Sequence, residues 1–273
     1  MAVSEPQSIR SRDNPLLVRL RRLVQDGAAY RRLGQVWIEG DHLCSALRTR
    51  GHPARQALIT EEAWQDGRLR ELAGWAEQTR VLPATLFAGI SALESPAAIG
   101  FVLDMPSSAA MEPGCASMVL DRVQDPGNVG SVLRSAAAFG CTQVLALKGT
   151  AALWSPKVLR AGMGAHFGLR LLEGLDEADL AALAVPLLAA DPHAGPALHE
   201  VRLPRPCAWV LGHEGQGVST SLLASCTLRV RIPQPGGEES LNVAAAAAVV
   251  LYESSRQAMP GGSQASGPAS ARQ

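Results

Sequence analysis

Residues 121–140 read DRVQDPGNVGSVLRSAAAFG and follow the short apolar run SMVL at 117–120. An apolar strand that turns at Pro126-Gly127 and enters a helix near Asn128 is a βα unit. Asn128 is placed to cap that helix, and Ser131, Arg134 and Ser135 share a neighbouring face at helical spacing. A glycine-bearing turn leading into a helix N-terminus is a ready site for an anion. Alone, the segment fits an ordinary βα turn with an exposed Arg134 equally well. Further apolar strands are expected at 143–147, 186–189, 208–211 and 228–232, with helices at 130–139 and 241–256. Short apolar strands alternating with helices predict an α/β fold, a mostly parallel sheet covered on both faces.

Two later segments have the same strand-then-loop form. Residues 210–218, VLGHEGQGV, carry Gly212, Gly215 and Gly217 within six residues, which lets backbone groups approach a ligand closely. This is not a G-x-G-x-x-G run, and it lies late in the chain, where a dinucleotide fold would place its glycines in the first βαβ unit. Residues 231–253, RIPQPGGEESLNVAAAAAVVLYE, pass from Ile232-Pro233 through a glycine-rich loop to Ser240-Leu241-Asn242, which open an alanine-rich helix. Ser240 is the expected cap of that helix, and the small side chains at 244–248 permit close packing.

Upstream, Pro15–Gln25 reads as a helix with Leu16, Leu20 and Leu23 on one face and Arg19 and Arg22 beside it. A strand at 36–38 follows, then a helix through Leu47 capped by Asp41, a strand at 56–60 and a helix around 68–78. The proline- and glycine-bearing stretch DMPSSAAMEPGCA, 104–116, marks a boundary. The expected organisation is a first domain at 1–105, a linker at 106–116, a second domain at 117–257 and a disordered tail at 258–273.

The chain has 273 residues, with 25 cationic and 25 acidic side chains. That balance excludes a polycation or an acidic tail protein but hides a basic N-terminal face. Residues 1–55 hold ten arginines against five acids, whereas 56–105 hold three against seven. The longest apolar run, 243–252, is about half a membrane span. Five cysteines without a C-x-x-C pair indicate reduced thiols and a cytoplasmic protein. The six histidines show no metal-ligand spacing, so no metal is expected. There is neither a G-x-S-x-G nor a G-x-x-x-x-G-K-[ST] run, which removes the obvious hydrolase and nucleoside-triphosphatase signatures.

Taken in order, Asn128–Arg134, Gly212–Gly217 and Ile232–Val243 resemble the three motifs of the SpoU (TrmH-like) branch of the SPOUT RNA methyltransferases, N-x-G-x-x-x-R, G-x-E-x-x-G and I-P-…-S-L-N-V. The resemblance covers about 117–256. More loosely, IRSRDNP at 9–15 and VWIEGDHL at 36–43 resemble that family's substrate-binding domain, a small α/β/α fold related to kink-turn-binding ribosomal proteins.

The resemblance implies a SPOUT domain with a deep trefoil knot, a feature that periodicity cannot reveal. It also implies a homodimer, and S-adenosylmethionine held by Gly212, Ile232 and Leu241, with Gly215 and Gly217 in the same loop. The implied reaction is methyl transfer to a ribose 2′-hydroxyl of RNA, with ribosomal RNA favoured. Since the donor methyl is already activated, the protein's work is in-line positioning and help in removing one proton. Arg134 would hold phosphate and ribose and stabilise developing alkoxide charge, since a guanidinium hardly deprotonates; the final proton acceptor is left open. Asn128, Ser240 and Asn242 would orient it and the ribose, and Glu214 would anchor one of these groups. Gly162 stands where many relatives carry serine. The basic residues Arg10, Arg12, Arg19, Arg22, Arg31 and Arg32 are expected to contact RNA. Two other readings stand beside this one: a transfer-RNA ribose methyltransferase, and a catalytically silent RNA-binding or ribosome-assembly factor on the same scaffold. The presence of Asn128, Arg134, Glu214, Ser240 and Asn242 favours an enzyme.

Overall fold

The computed structural model describes residues 6–106, 110–236 and 240–259. Most of the expected tail, 260–273, and residues 107–109 of the expected linker lie outside them. The N-terminal part runs β1 (Gln7–Ser8), α1 (Pro15–Gln25), α2 (Ala29–Leu33), β2 (Gln35–Glu39), α3 (Asp41–Thr49), β3 (Gln56–Thr60), α4 (Gly67–Ala73), β4 (Gln78–Leu82), α5 (Ala84–Ala88) and β5 (Ile99–Asp104). Its sheet has the order β1-β4-β3-β5-β2, with β5 antiparallel to both neighbours.

The C-terminal part runs β6 (Ser117–Asp121), α6 (Pro126–Ala138), β7 (Gln143–Leu147), α7 (Pro156–Gly162), β8 (Arg170–Leu175), β9 (Leu187–Ala190), β10 (Ala208–Gly212), α8 (Thr220–Ser225), β11 (Leu228–Val230) and α9 (Val243–Arg256). Its six strands, in the order β11-β9-β10-β6-β7-β8, pair in parallel throughout. This is the α/β class that the alternating pattern predicts. Every residue of β6, β7 and β10 is buried, as apolar strands covered on both faces must be. Alternate residues point to opposite faces. Met118, Leu120, Val144, Trp209 and Leu211 meet Val132, Leu133, Val158, Val250 and Leu251, whereas Val119, Leu145 and Val210 meet Leu180, Val185 and Leu222. The first of these clusters continues without a break into the N-terminal sheet and its helices, through Leu17, Leu20, Ile38, Leu58 and Phe101.

Several local expectations are corrected. The buried face of α1 is Leu17, Leu20 and Leu23, with Leu16 only half-buried. Asp41 is the first residue of α3 and does not cap it; Gly40 stands in the cap position with φ 100°. The helix expected around 68–78 stops at Ala73, and Gln78–Leu82 instead pairs in parallel with β3. The strand expected at 186–189 begins at Leu187 and runs to Ala190. No helix among the described residues is long and apolar enough to cross a membrane.

Candidate active site

The site is built where β6 and β10 leave the sheet. They are paired neighbours with Gly212 opposite Asp121, so the loops that follow emerge side by side at the carboxyl ends of parallel strands. Ligands of open α/β sheets bind there. Asp121 is buried, accepts the Ser219 amide at 2.7 Å and pairs with Arg122 at 2.8 Å. Burial alone would raise its carboxyl, but the guanidinium and the amide outweigh it, and the group is held below its ordinary value. Arg122 has a left-handed backbone, φ 58°, and also donates to Gln216 at 3.0 Å. The first and second motif loops are therefore tied at their roots.

Asp125, not Asn128, caps α6. Pro126 takes the first helical position, where its missing N–H costs nothing, and Asp125 Oδ1 accepts the Asn128 amide at 2.8 Å. This leaves the Asn128 side chain free. Its Nδ2 donates to Glu214 at 3.1 Å, and its Oδ1 accepts from Asn242 Nδ2 at 3.0 Å. Glu214 also accepts the amides of Gln124 at 3.1 Å and Asp125 at 3.0 Å. Desolvation would raise the Glu214 carboxyl, but these donors bring it down to about 2, so it is an anion at pH 7. At the third loop the cap of α9 is Asn242, not Ser240: its Oδ1 accepts the amides of Ala244 at 2.9 Å and Ala245 at 3.2 Å. One relay, Glu214–Asn128–Asn242, thus joins three segments separated by 86 and 114 residues.

Beside the relay lies a cavity of about 550 Å³, bordered by Gly212, Gly215, Gly217, Ile232, Ser240 and Leu241 among others. All five expected cofactor residues line it, as do Glu214, Ser240 and Asn242. A Cβ on Gly212 would stand 2.1 Å from the Gly217 carbonyl carbon and the Val218 nitrogen, so only glycine lets the loop close on itself. His213 holds the same loop, its Nδ1 accepting the amides of Gly215 at 3.0 Å and Gln216 at 3.2 Å. Sequence reasoning missed Ala190, Asp191, Pro192 and His193, which form another side of the cavity. Their signal was position alone, directly after the carboxyl end of a parallel strand.

Arg134 is not brought to this cavity within one chain. It stands exposed on α6, and its side chain makes no hydrogen bond or ion pair with any described residue. The helix carrying it is set by Gly130, where a Cβ would lie 2.4 Å from Ala161 and 2.7 Å from the Val158 carbonyl, so α6 and α7 touch backbone to backbone. Gly162 is explained by His166: a Cβ there would stand 2.6 Å from the imidazole Cε1. That ring is buried and donates from Nε2 to the Leu153 carbonyl at 2.8 Å. Burial, only partly countered by this bond, pushes it down to about 4, so it is neutral at pH 7.

The basic face is narrower than its six arginines suggest. Arg10 pairs with Glu61 at 2.6 Å, Arg32 with Asp26 at 2.7 Å and Arg31 with Glu173 of β8 at 2.8 Å. Arg19 donates to Gln35 at 3.0 Å. Arg12, Arg19 and Arg22 have no carboxylate partner among the described residues and are exposed.

The fold and the cavity define an α/β protein with a cavity of small-ligand size at the carboxyl ends of its strands and a polar relay at its mouth. Residues 116–252 match the family model described as the SpoU rRNA Methylase family. The chain is 33% identical over 264 residues to the "Uncharacterized tRNA/rRNA methyltransferase slr1673" of Synechocystis sp., covering 93% of this chain and 95% of that one. It is 32% identical over 221 residues to the 23S rRNA (guanosine(2553)-2′-O)-methyltransferase RlmP of Bacillus subtilis, covering 79% and 86%. Among solved structures, a putative RNA methyltransferase of the TrmH family from Porphyromonas gingivalis superposes with TM-score 0.78 at 30% identity, over 90% of this chain and 99% of that one. AviRb from Streptomyces viridochromogenes, a SpoU methyltransferase solved in complex with AdoMet, superposes with TM-score 0.81 over 89% and 98%, and at 24% identity it shows the fold alone. The chain belongs to the SpoU rRNA methylase family.

Proposed function

We propose that the protein transfers a methyl group from S-adenosylmethionine to a ribose 2′-hydroxyl of ribosomal RNA. The observation that carries this reading is the Glu214–Asn128–Asn242 relay, which draws the three motif loops to the mouth of one cavity. The cavity suits the donor in size and lining: about 550 Å³ is within the range of small-molecule sites, and the bare Gly212 backbone, apolar Leu211, Val218 and Ile232, and polar Ser240 and Asp191 border it. When bound, S-adenosylmethionine supplies a methyl group on an already activated sulfonium centre.

The chain's own residues do the positioning. The anionic Glu214 fixes the amide of Asn128, and Asn128 in turn fixes that of Asn242, so that two polar side chains are presented at the mouth with their orientation set. Arg134 serves the phosphate and ribose of the RNA and stabilises negative charge as the hydroxyl proton leaves. Ser240, freed from capping, is an exposed hydroxyl at the rim. Arg12, Arg19 and Arg22 offer the RNA-facing cations of the N-terminal domain, with Arg10, Arg31 and Arg32 held by acids behind them.

The same reading makes the protein a homodimer. Leu241, Ala245, Val249 and Tyr252 form an exposed apolar stripe along the start and outer face of α9, with Leu241 40%, Val249 38% and Tyr252 53% exposed. A second copy seated there would cover it, and the position of Arg134 outside its own cavity fits a site completed between copies. The trefoil knot and a cytoplasmic location belong to this reading as well. The test of substrate is to map ribose methylation across ribosomal RNA in cells with and without the gene. One missing 2′-O-methyl group is expected; unchanged ribosomal RNA with a methyl group lost from transfer RNA would redirect the assignment.

A further inference from the structure

The contact between the two domains centres on one carboxylate. Glu173, on the edge strand β8, is mostly buried, its side chain 14% exposed. It accepts the Tyr30 hydroxyl at 2.7 Å on both oxygens, Arg31 at 2.8 Å and the Leu153 amide at 2.7 Å. Tyr30 itself is buried, and burial beside this anion raises its hydroxyl well above the ordinary value, so it remains a donor. Here the two domains enclose a cavity of about 920 Å³, lined by Tyr30, His52, Phe167 and Glu173 among others, and they touch directly at two glycines. A Cβ on Gly164 would stand 2.7 Å from the Ala46 Cβ, and one on Gly168 would stand 2.8 Å from an Arg50 nitrogen. His52 Nε2 donates to the Phe167 carbonyl at 2.8 Å.

Glu173 also connects, through one further residue, to helix α7. The Leu153 amide that it holds opens the turn before α7, and the carbonyl of the same residue takes the buried His166. Helix α7 in turn lies backbone to backbone against Gly130 of α6, two residues beyond Asn128.

We infer that Glu173 is a positioning residue: it fastens α2, against which α1 packs, to the methyltransferase sheet, so that RNA held on the N-terminal domain meets the catalytic loops at a set distance. This rests on the RNA methylation reading above. It also gives Arg31 a different task from the RNA contact expected of it, since its guanidinium is engaged by Glu173. The neighbouring Arg12, Arg19 and Arg22 remain for the phosphates.

The test uses the full-length chain with Glu173→Ala and Tyr30→Phe, ribosomal RNA from cells lacking the gene, and methyl-labelled S-adenosylmethionine. Small-angle scattering should show a more extended, broader distribution of shapes for Glu173→Ala than for the parent protein. S-adenosylmethionine affinity by calorimetry and RNA affinity should be unchanged. The single-turnover rate on bound RNA should fall roughly tenfold to a hundredfold, the scale of loss when reacting groups are misplaced by about 1 Å. Tyr30→Phe, which removes one hydroxyl and keeps the ring, should show a smaller loss in the same sense; it decides the matter by the same criteria if the alanine variant does not fold. A folded Glu173→Ala protein with the parental rate overturns the inference, as does a loss of cofactor affinity in step with the rate, which would make Glu173 a support of the methyltransferase domain alone. If the parent protein forms no 2′-O-methyl product, the functional reading fails, and the scattering profile still decides whether Glu173 joins the domains.

Discussion

Replacing Glu214 by alanine removes the acceptor shared by the amides of Gln124 and Asp125 and the side chain of Asn128. A hydrogen bond to a charged acceptor contributes about 1.5–3 kcal/mol where water is excluded. Glu214 stands at the surface, so about 0.5–1 kcal/mol per bond is the fitting scale, and three bonds give about 1.5–3 kcal/mol. The carboxyl offers a second route to the figure. Held at about 2 against an ordinary 4.5, it sets a ceiling of roughly 3 kcal/mol, which solvent screening reduces to about 1–2 kcal/mol. A folded-state value below the ordinary one means that this stability is complete above 4.5 and is lost as the pH falls through about 2. Differential scanning calorimetry should show a fall in Tm of about 2–6 °C at pH 7. The larger effect should appear in single-turnover methyl transfer. With Asn128 and Asn242 no longer oriented, the rate should fall on the order of a hundredfold, while S-adenosylmethionine affinity measured by calorimetry drops far less. An unchanged Tm together with an unchanged rate would refute the relay as an organising element.

Gly212→Ala should abolish cofactor binding in a protein that still folds: the added Cβ is roughly 1.3 Å inside the ordinary 3.4 Å contact with backbone atoms that cannot step aside. Calorimetry checks it, and parental affinity would contradict the tight loop. Arg134→Ala and Asn128→Ala should lose methyl transfer while S-adenosylmethionine binding survives; equal loss of both would contradict the roles given to them. RNA affinity should fall with rising salt, and the joint change Arg19→Ala, Arg22→Ala should reduce that slope by about 2, one for each phosphate no longer neutralised. A slope unchanged in filter binding would move the RNA surface elsewhere. Val249→Asp, on the exposed stripe of α9, should shift sedimentation from dimer to monomer, whereas an unaltered profile would place the subunit interface on another face.

Much of the C-terminal sheet is legible in the residues themselves. The strands at 117–120, 143–147 and 208–211 are apolar but for Ser117 and Gln143 at their starts, because both faces of a central parallel strand are covered, and this signal is strong. Edge strand β8 is half exposed, carries Arg170 and Glu173, and shows no such run. The strand at 78–82 is missed for a similar reason: the expected helix runs on to its first residue, and Gln78 and Arg80 on its more exposed side interrupt any apolar run. The motif residues are evident in sequence, but their roles are exchanged in the fold. Asp125 and Asn128 are both good caps, as are Ser240 and Asn242, and cap propensity alone does not choose between them. In α6 Pro126 at the first helical position favours Asp125, and Glu214, distant in sequence, takes the Asn128 side chain. The partners of Arg10, Arg31 and Arg32 are hidden likewise, because a count of charges does not say which are already paired.

The account rests on three loops forming one place where a methyl group meets a sugar oxygen. Ribosomal RNA treated with the purified protein and methyl-labelled S-adenosylmethionine, digested to nucleosides and separated by mass spectrometry, tests this most directly. Label confined to a 2′-O-methylnucleoside is the predicted result; label on a base, or none at all from a folded protein, would contradict it.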